Sequence, residues 1–312
     1  MARLVAIFPN EGSQYVGMGR EFYDRSLAAR KYFDEAEKLL EFKIAKLCFL
    51  GPKEEQDRIV NAQLGVFVND VAFFELMVAN RRKAELLTGV GVGEVAALVV
   101  AEAIPYANAL QFVYNRAKQL EILLSGHRSI NLQVVGLRED ALMPALSRSE
   151  GELVITHHLS PENFALVGPR EAVESLELEL RGVPKIATQR LLPRGPLFTP
   201  EMRKWEHALD VTFEECFKDA KIRNPKIMVH RASDGEPVYT PEDVVALLKT
   251  QLFNTVRWNQ VVAKVCERGF RTWAECGPGK VYSSLVKKND NNNRVTNVED
   301  VKSLALMVKL TV

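Results

Sequence analysis

Leu86-Leu87-Thr88-Gly89-Val90-Gly91-Val92-Gly93-Glu94-Val95-Ala96-Ala97-Leu98 carries a short apolar strand, a glycine-punctuated turn and the start of an apolar helix. A strand–turn–helix of this kind presents a nucleophilic serine in the pattern G-x-S-x-G. Here Gly89 and Gly93 supply the frame, and Gly91 stands where the serine belongs. Such turns hold their central residue in a strained conformation at φ > 0. Glycine reaches it without a Cβ penalty, so the frame can persist without the chemistry. The stretch is not a dinucleotide loop, because it reads G-x-G-x-G-E rather than G-x-G-x-x-G.

Outward from the turn, the pattern alternates strands and helices. Residues 4–8 are an apolar run closed by Pro9, a buried strand, and 10–14 form a polar loop behind it. Helices are predicted over 18–24, 27–50, 53–80, 94–103 and 106–124, with Tyr32, Ala36, Leu39 and Leu40 on one side of the second. From Gly126 the texture changes. Strand, helix, strand, strand, helix, strand follow at 129–136, 139–148, 152–158, 164–167, 171–180 and 185–191, the order of a ferredoxin-like unit. Beyond it, helices are predicted over 201–220, 241–253 and 256–268, strands over 227–230 and 271–276, a short helix over 281–287, and an exposed polar loop over 289–293.

Four stretches together resemble the malonyl-CoA:acyl-carrier-protein transacylase family, which also supplies the acyltransferase domains of polyketide synthases. Phe8-Pro9-Asn10-Glu11-Gly12-Ser13-Gln14 with Gly17-Met18-Gly19 is similar to F-P-G-Q-G-S-Q…G-M-G. Gly89 to Glu94 is similar to G-H-S-L-G-E, and Gly195-Pro196-Leu197-Phe198-Thr199-Pro200-Glu201-Met202 to G-x-F-H-(S/T)-P-x-M. Gln251…Val256-Arg257-Trp258 followed by Glu275-Cys276-Gly277-Pro278-Gly279-Lys280 completes the set. The resemblance covers essentially the whole chain. It implies an α/β fold: a large α/β-hydrolase-like domain with a parallel sheet over 1–126 and 193–312, and a small inserted ferredoxin-like (α+β) domain over 127–192.

The family's reaction, by this resemblance, moves malonyl from coenzyme A to an elbow serine and then to the thiol of an acyl carrier protein. A histidine serves as base and acid, backbone N–H groups hold the oxyanion, and an arginine fork grips the malonyl carboxylate. The resemblance places Gly91 at the nucleophile, Val90 at the preceding histidine and Phe198 at the general base. Glu11 and Val92 fall at the oxyanion-loop positions, and Leu159 at a polar asparagine of the small domain. The substrate-binding set is Arg116, Gln251, Val90 and Leu159, of which only Arg116 and Gln251 match the family. A carboxylate at Glu11 repels a developing oxyanion by ~3 kcal/mol at ~5 Å and an effective dielectric of ~20. The implied reading is a transacylase homologue without its catalytic residues, a pseudoenzyme binding acyl carrier protein and malonyl-CoA or another acyl-CoA. The alternative is an active acyl transferase or acyl-thioester hydrolase with non-standard residues.

Composition agrees with a globular chain of this kind: 47% hydrophobic, 26% charged and a net charge of +1. No basic field points to nucleic acid. The cysteines Cys48, Cys216, Cys266 and Cys276 have no metal spacing and read as buried thiols. No metal or cofactor is expected. With no signal segment and no apolar run near the ~20 residues of a membrane span, a cytoplasmic location and no membrane contact are expected. His157 and His158 read as surface or satisfied histidines. Lys185, Arg190, Arg194, Arg203 and Lys204 read as either a carrier-docking patch or a solvated face.

Overall fold

The computed structural model describes residues 3–191 and 195–310. Its strands are β1 (Leu4–Phe8), β2 (Leu86–Gly89), β3 (Ile130–Val135), β4 (Val154–Ser160), β5 (Asn163–Gly168), β6 (Ala187–Leu191), β7 (Met228–His230), β8 (Pro237–Val238), β9 (Thr272–Cys276) and β10 (Arg294–Val298).

The large sheet has the order β10-β9-β1-β2-β7-β8. β10, β9, β1, β2 and β7 run parallel, and β8 returns antiparallel along β7. β1 lies at its centre because a strand covered on both faces must be apolar on both. Leu4, Ala6 and Phe8 enter one core; Val5 and Ile7 enter the other, with Trp258 and Trp273.

The first core is built around the helix Ile59–Ala79. This helix corrects one sequence expectation. Its 21 residues reach a mean hydropathy of 1.4, long and apolar enough for a membrane span, yet 83% of the apolar window is buried inside the protein. Its apolar surface is used by β1 and its neighbouring helices.

The small sheet has the antiparallel order β4-β5-β3-β6, the ferredoxin-like arrangement. β3 alternates. Ile130, Leu132 and Val134 pack on Leu142, Val173 and Leu176 from the two covering helices, Glu139–Arg148 and Arg170–Leu180. Asn131 and Gln133 therefore occupy the other face, which looks onto the large domain. The expected boundary between 192 and 193 lies outside the described residues.

Several expected elements shift. The helix after the glycine turn runs Val92–Val100, and the 201–220 segment opens as a 3-10 turn, Pro200–Trp205, before the helix Glu206–Phe217. Leu39 is 39% exposed rather than on the packed side with Tyr32 and Ala36. Residues 289–293 are not an exposed loop throughout. Asn289 ends the helix Val281–Asn289, and Asn293 is fully buried. Its Oδ1 accepts the Trp273 Nε1–H at 3.0 Å, and a buried indole donor needs such a partner. β10 and the terminal helix Val301–Leu310 were not expected from the sequence.

Candidate active-site cleft

The turn leaves β2 at Gly89 and enters its helix at Val92, at the carboxyl edge of the parallel strands. Gly93 N–H donates to Val90 O at 2.9 Å, and Glu94 N–H to Gly91 O at 3.1 Å. Gly91 sits at φ 55° and ψ −116°, a conformation that disfavours a side chain. Gly93 is required for another reason: a Cβ there would overlap the Phe8 carbonyl, so the helix could not lie against the end of β1.

The space a serine would need is filled. A Cβ built on Gly91 would fall 2.6 Å from Asn10 Cγ and 2.8 Å from its Nδ2. Asn10 Oδ1 accepts the Val92 N–H at 3.2 Å. Of the two expected oxyanion positions, the Val92 N–H is thus engaged within the chain. Asn10 was not singled out from the sequence. The signal that would have found it is its place opposite a glycine in the F-P-G-Q pattern.

Phe198 is buried and keeps a positive φ of 63°, which is costly for an aromatic residue. Its N–H donates to Leu252 O at 2.8 Å, anchoring the segment to the 3-10 turn Gln251–Phe253. Val90, Leu159, Leu197 and Phe198 belong to one buried apolar cluster. The positions expected to carry histidine or asparagine chemistry belong to an apolar cluster, of which Leu159 and Phe198 also border the cleft.

A cleft of about 370 Å³ remains above this floor, lined among others by Asn10, Glu11, Ser13, Leu159, Phe198 and Tyr282. Its opposite wall is the open face of the small sheet, with Asn131, Gln133, Thr156 and Gln189. His157 lines it too, and of the two expected readings, surface or satisfied, it takes the second. The strand is irregular between Ile155 and His157, so simple alternation does not set its direction. Its ring meets Phe198 edge-on with centroids 4.9 Å apart, its Nδ1 lies 2.9 Å from Thr156 Oγ1, and burial pushes its pKa down to about 4.

Arg116 and Gln251 do not line this cleft. Arg116 is 2% exposed, and all three guanidinium nitrogens lack a hydrogen-bond partner among the described residues. Burial lowers its pKa to about 10, against the opposing pull of Glu11 and Glu94. Burial also raises Glu94 to about 8, although Glu94 Oε1 accepts the Ala232 N–H at 2.8 Å. Burial raises Glu11, whose Oε1 accepts from Gln63 Nε2 at 3.2 Å. Both polar atoms of the Gln251 side chain are buried without partners, and the residue borders a separate cavity of about 400 Å³ with Glu94 and Arg257.

The basic residues near the domain junction are largely paired. Arg190 bridges Glu174 and Glu177, Arg203 meets Glu206, and Lys204 meets Glu201. Arg194 lies outside the described residues. The four cysteines are buried free thiols, as expected.

The acyl transferase domain model matches residues 5–311. The chain belongs to the acyl transferase domain family. It is 28% identical over 315 residues to the malonyl CoA-acyl carrier protein transacylase of Bacillus subtilis, covering 99% of this chain and 97% of that one. The crystal structure of the malonyl-CoA:acyl carrier protein transacylase of Xanthomonas oryzae pv. oryzae superposes with a TM-score of 0.90 at 26% identity, covering 99% of this chain and 98% of that one. A malonyl-transacylase solved with its type II polyketide acyl-carrier protein reaches 0.90 at 24% identity, covering 99% of this chain and 100% of that one, and shares the fold.

Proposed function

We propose that this chain is a catalytically silent homologue of malonyl-CoA:acyl-carrier-protein transacylase, acting as a binding or scaffold partner of acyl carrier protein in fatty-acid or polyketide synthesis. The observation that carries this reading is the Asn10 carboxamide, which fills the serine position and takes the Val92 N–H. An acyl transfer needs a nucleophile, a base and free oxyanion donors. Gly91 offers no nucleophile, Phe198 offers no base, and Asn10 takes the Val92 N–H. Carrier protein as partner is supported by the relatives, which are transacylases named for it. Malonyl-CoA or another acyl-CoA is the ligand this reading assigns to the cleft.

Intact-mass measurement after mixing with malonyl-CoA and a phosphopantetheinylated carrier, beside an active transacylase, tests it. We expect no acyl-enzyme and no malonyl-carrier above background, while the carrier is retained in pull-down. An acyl adduct or a substantial transfer rate would overturn the reading. One observation favours a second reading, an acyl-thioester hydrolase: an imidazole, His157, lies on the cleft wall, where it could take a proton from water, although burial makes it a weak base. That reading requires thioester hydrolysis that disappears in His157→Ala.

A further inference from the structure

A cavity of about 580 Å³ lies at the opposite edge of the large sheet from the cleft. Topology fixes its place. Lys83 and Ala84 precede β2, and Ile227 precedes β7, so the cavity opens where the parallel strands begin. The helix Val92–Val100 starts at the Gly91 turn and ends with Val99 and Val100 in the cavity wall. The other wall is the segment 221–227. It is held in place by Arg223 N–H donating to Ala103 O at 2.9 Å and Lys226 N–H to Ala101 O at 2.8 Å.

The interior is apolar and the rim is cationic. Val71, Phe74, Ala84 and Ile104 are buried side chains that border the cavity. Lys83, Lys221 and Arg223 stand exposed at its mouth, and none has a side-chain hydrogen bond or ion pair among the described residues. Of the acids beside it, Glu102 is paired with Lys226, and Glu75 faces the Tyr32 hydroxyl. Three free cations over an apolar recess complement a ligand with one anionic end and one apolar end. Cavities of this volume with a few convergent polar groups are typical of small-molecule sites.

We propose that this cavity binds a long-chain fatty carboxylate. The chain lies against Phe74, Ala84, Ile104 and Val100, where leaving water drives binding. The carboxylate sits among Lys83, Lys221 and Arg223, where charge-assisted hydrogen bonds hold it. The site is independent of the cleft and does not rest on the catalytic state of Gly91.

Calorimetric titration of the full chain with dodecanoate, kept below its micellar concentration, tests this. We expect saturable binding of one dodecanoate per chain. Replacing Lys221→Glu and Arg223→Glu together should weaken it at least about tenfold. Both side chains are exposed, so the variant should fold, which circular dichroism verifies. Dodecyltrimethylammonium and inorganic phosphate are the control probes, and neither should bind at this site. Absence of saturable dodecanoate binding would overturn the proposal. So would equal affinity in the charge-reversed variant, or phosphate binding as tightly as dodecanoate.

Discussion

The floor and the far wall of the cleft have different characters. On the floor, Asn10 fills the nucleophile space, and Val90, Leu159, Leu197 and Phe198 close into one apolar cluster. On the far wall, Asn131, Gln133, Thr156 and Gln189 make a polar face, of which only Gln189 is exposed. Burying apolar side chains stabilises the floor without any ligand. The far wall instead satisfies its polar groups within the chain: Thr156 Oγ1 donates to Ala165 O, Asn131 bonds Gly195 through both ends of its amide, and Gln133 Nε2 donates to Asn163 Oδ1. The difference teaches that the two walls of one cleft can be built on opposite terms, apolar packing on one side and polar side chains on the other.

The sharpest way to break the comparison is to disturb the packing that seals the floor. Gly93→Val should cost about 3 kcal/mol, because the new side chain meets the Phe8 carbonyl with no room to retreat. Urea denaturation measures it, and a loss below about 1 kcal/mol would show that the helix can move away from β1.

Next, Gly91→Ser alone should cost about 2 kcal/mol through contact with the Asn10 carboxamide and a positive φ. Asn10→Gly on the same chain should return about 1 kcal/mol of that loss. A strictly additive double-mutant cycle would mean that Asn10 does not occupy the serine space.

The buried acid behind the floor gives a pH signature. Glu94 holds its proton to about 8 when folded and loses it near 4.5 when unfolded. Between these values the native state binds more protons, so stability falls as pH rises, and the loss is complete above the folded pKa. From pH 6.5 to 8, Glu94 contributes a decrease of about 2 kcal/mol. His157, lowered to about 4, works in the opposite direction only below its ordinary pKa near 6.5, outside this window. Glu94→Gln keeps the acceptor for Ala232 N–H and should reduce the slope, leaving the smaller share of Glu275, which burial raises to about 7. An unchanged slope in that variant would show that another group carries it.

The smallest effect belongs to the far wall. Gln189→Ala on the open face should change stability by less than about 0.5 kcal/mol. A larger loss in thermal melts would mean that this wall is packed rather than free.

Much of the molecule was legible beforehand. The apolar run at 4–8, the glycine turn and the strand–helix alternation of the small unit all appear as expected, because each is a local pattern repeated over several residues. β10 and the last helix were missed because the asparagine run at 289–293 reads as a loop, whereas Asn293 serves a buried indole. His157 read as a surface or satisfied histidine, but its place on the cleft was not legible, because the irregularity in β4 resets which way a residue points. Arg116 and Gln251 were expected among the substrate-binding residues; their side chains are buried with unpartnered polar atoms and do not line the cleft.

By itself, the sequence determined the class of fold, the turn on which it is built and the glycine at the position where the proposal places a nucleophile. These follow from residue type, and a glycine cannot attack an acyl group in any conformation. Only the tertiary structure decided that Asn10, 81 positions earlier in the chain, occupies the place of the serine side chain. That contact exists because β1 and β2 run side by side and bring the loops at their ends together. The parallel sheet made the neighbours, and the neighbours settled what the turn can hold.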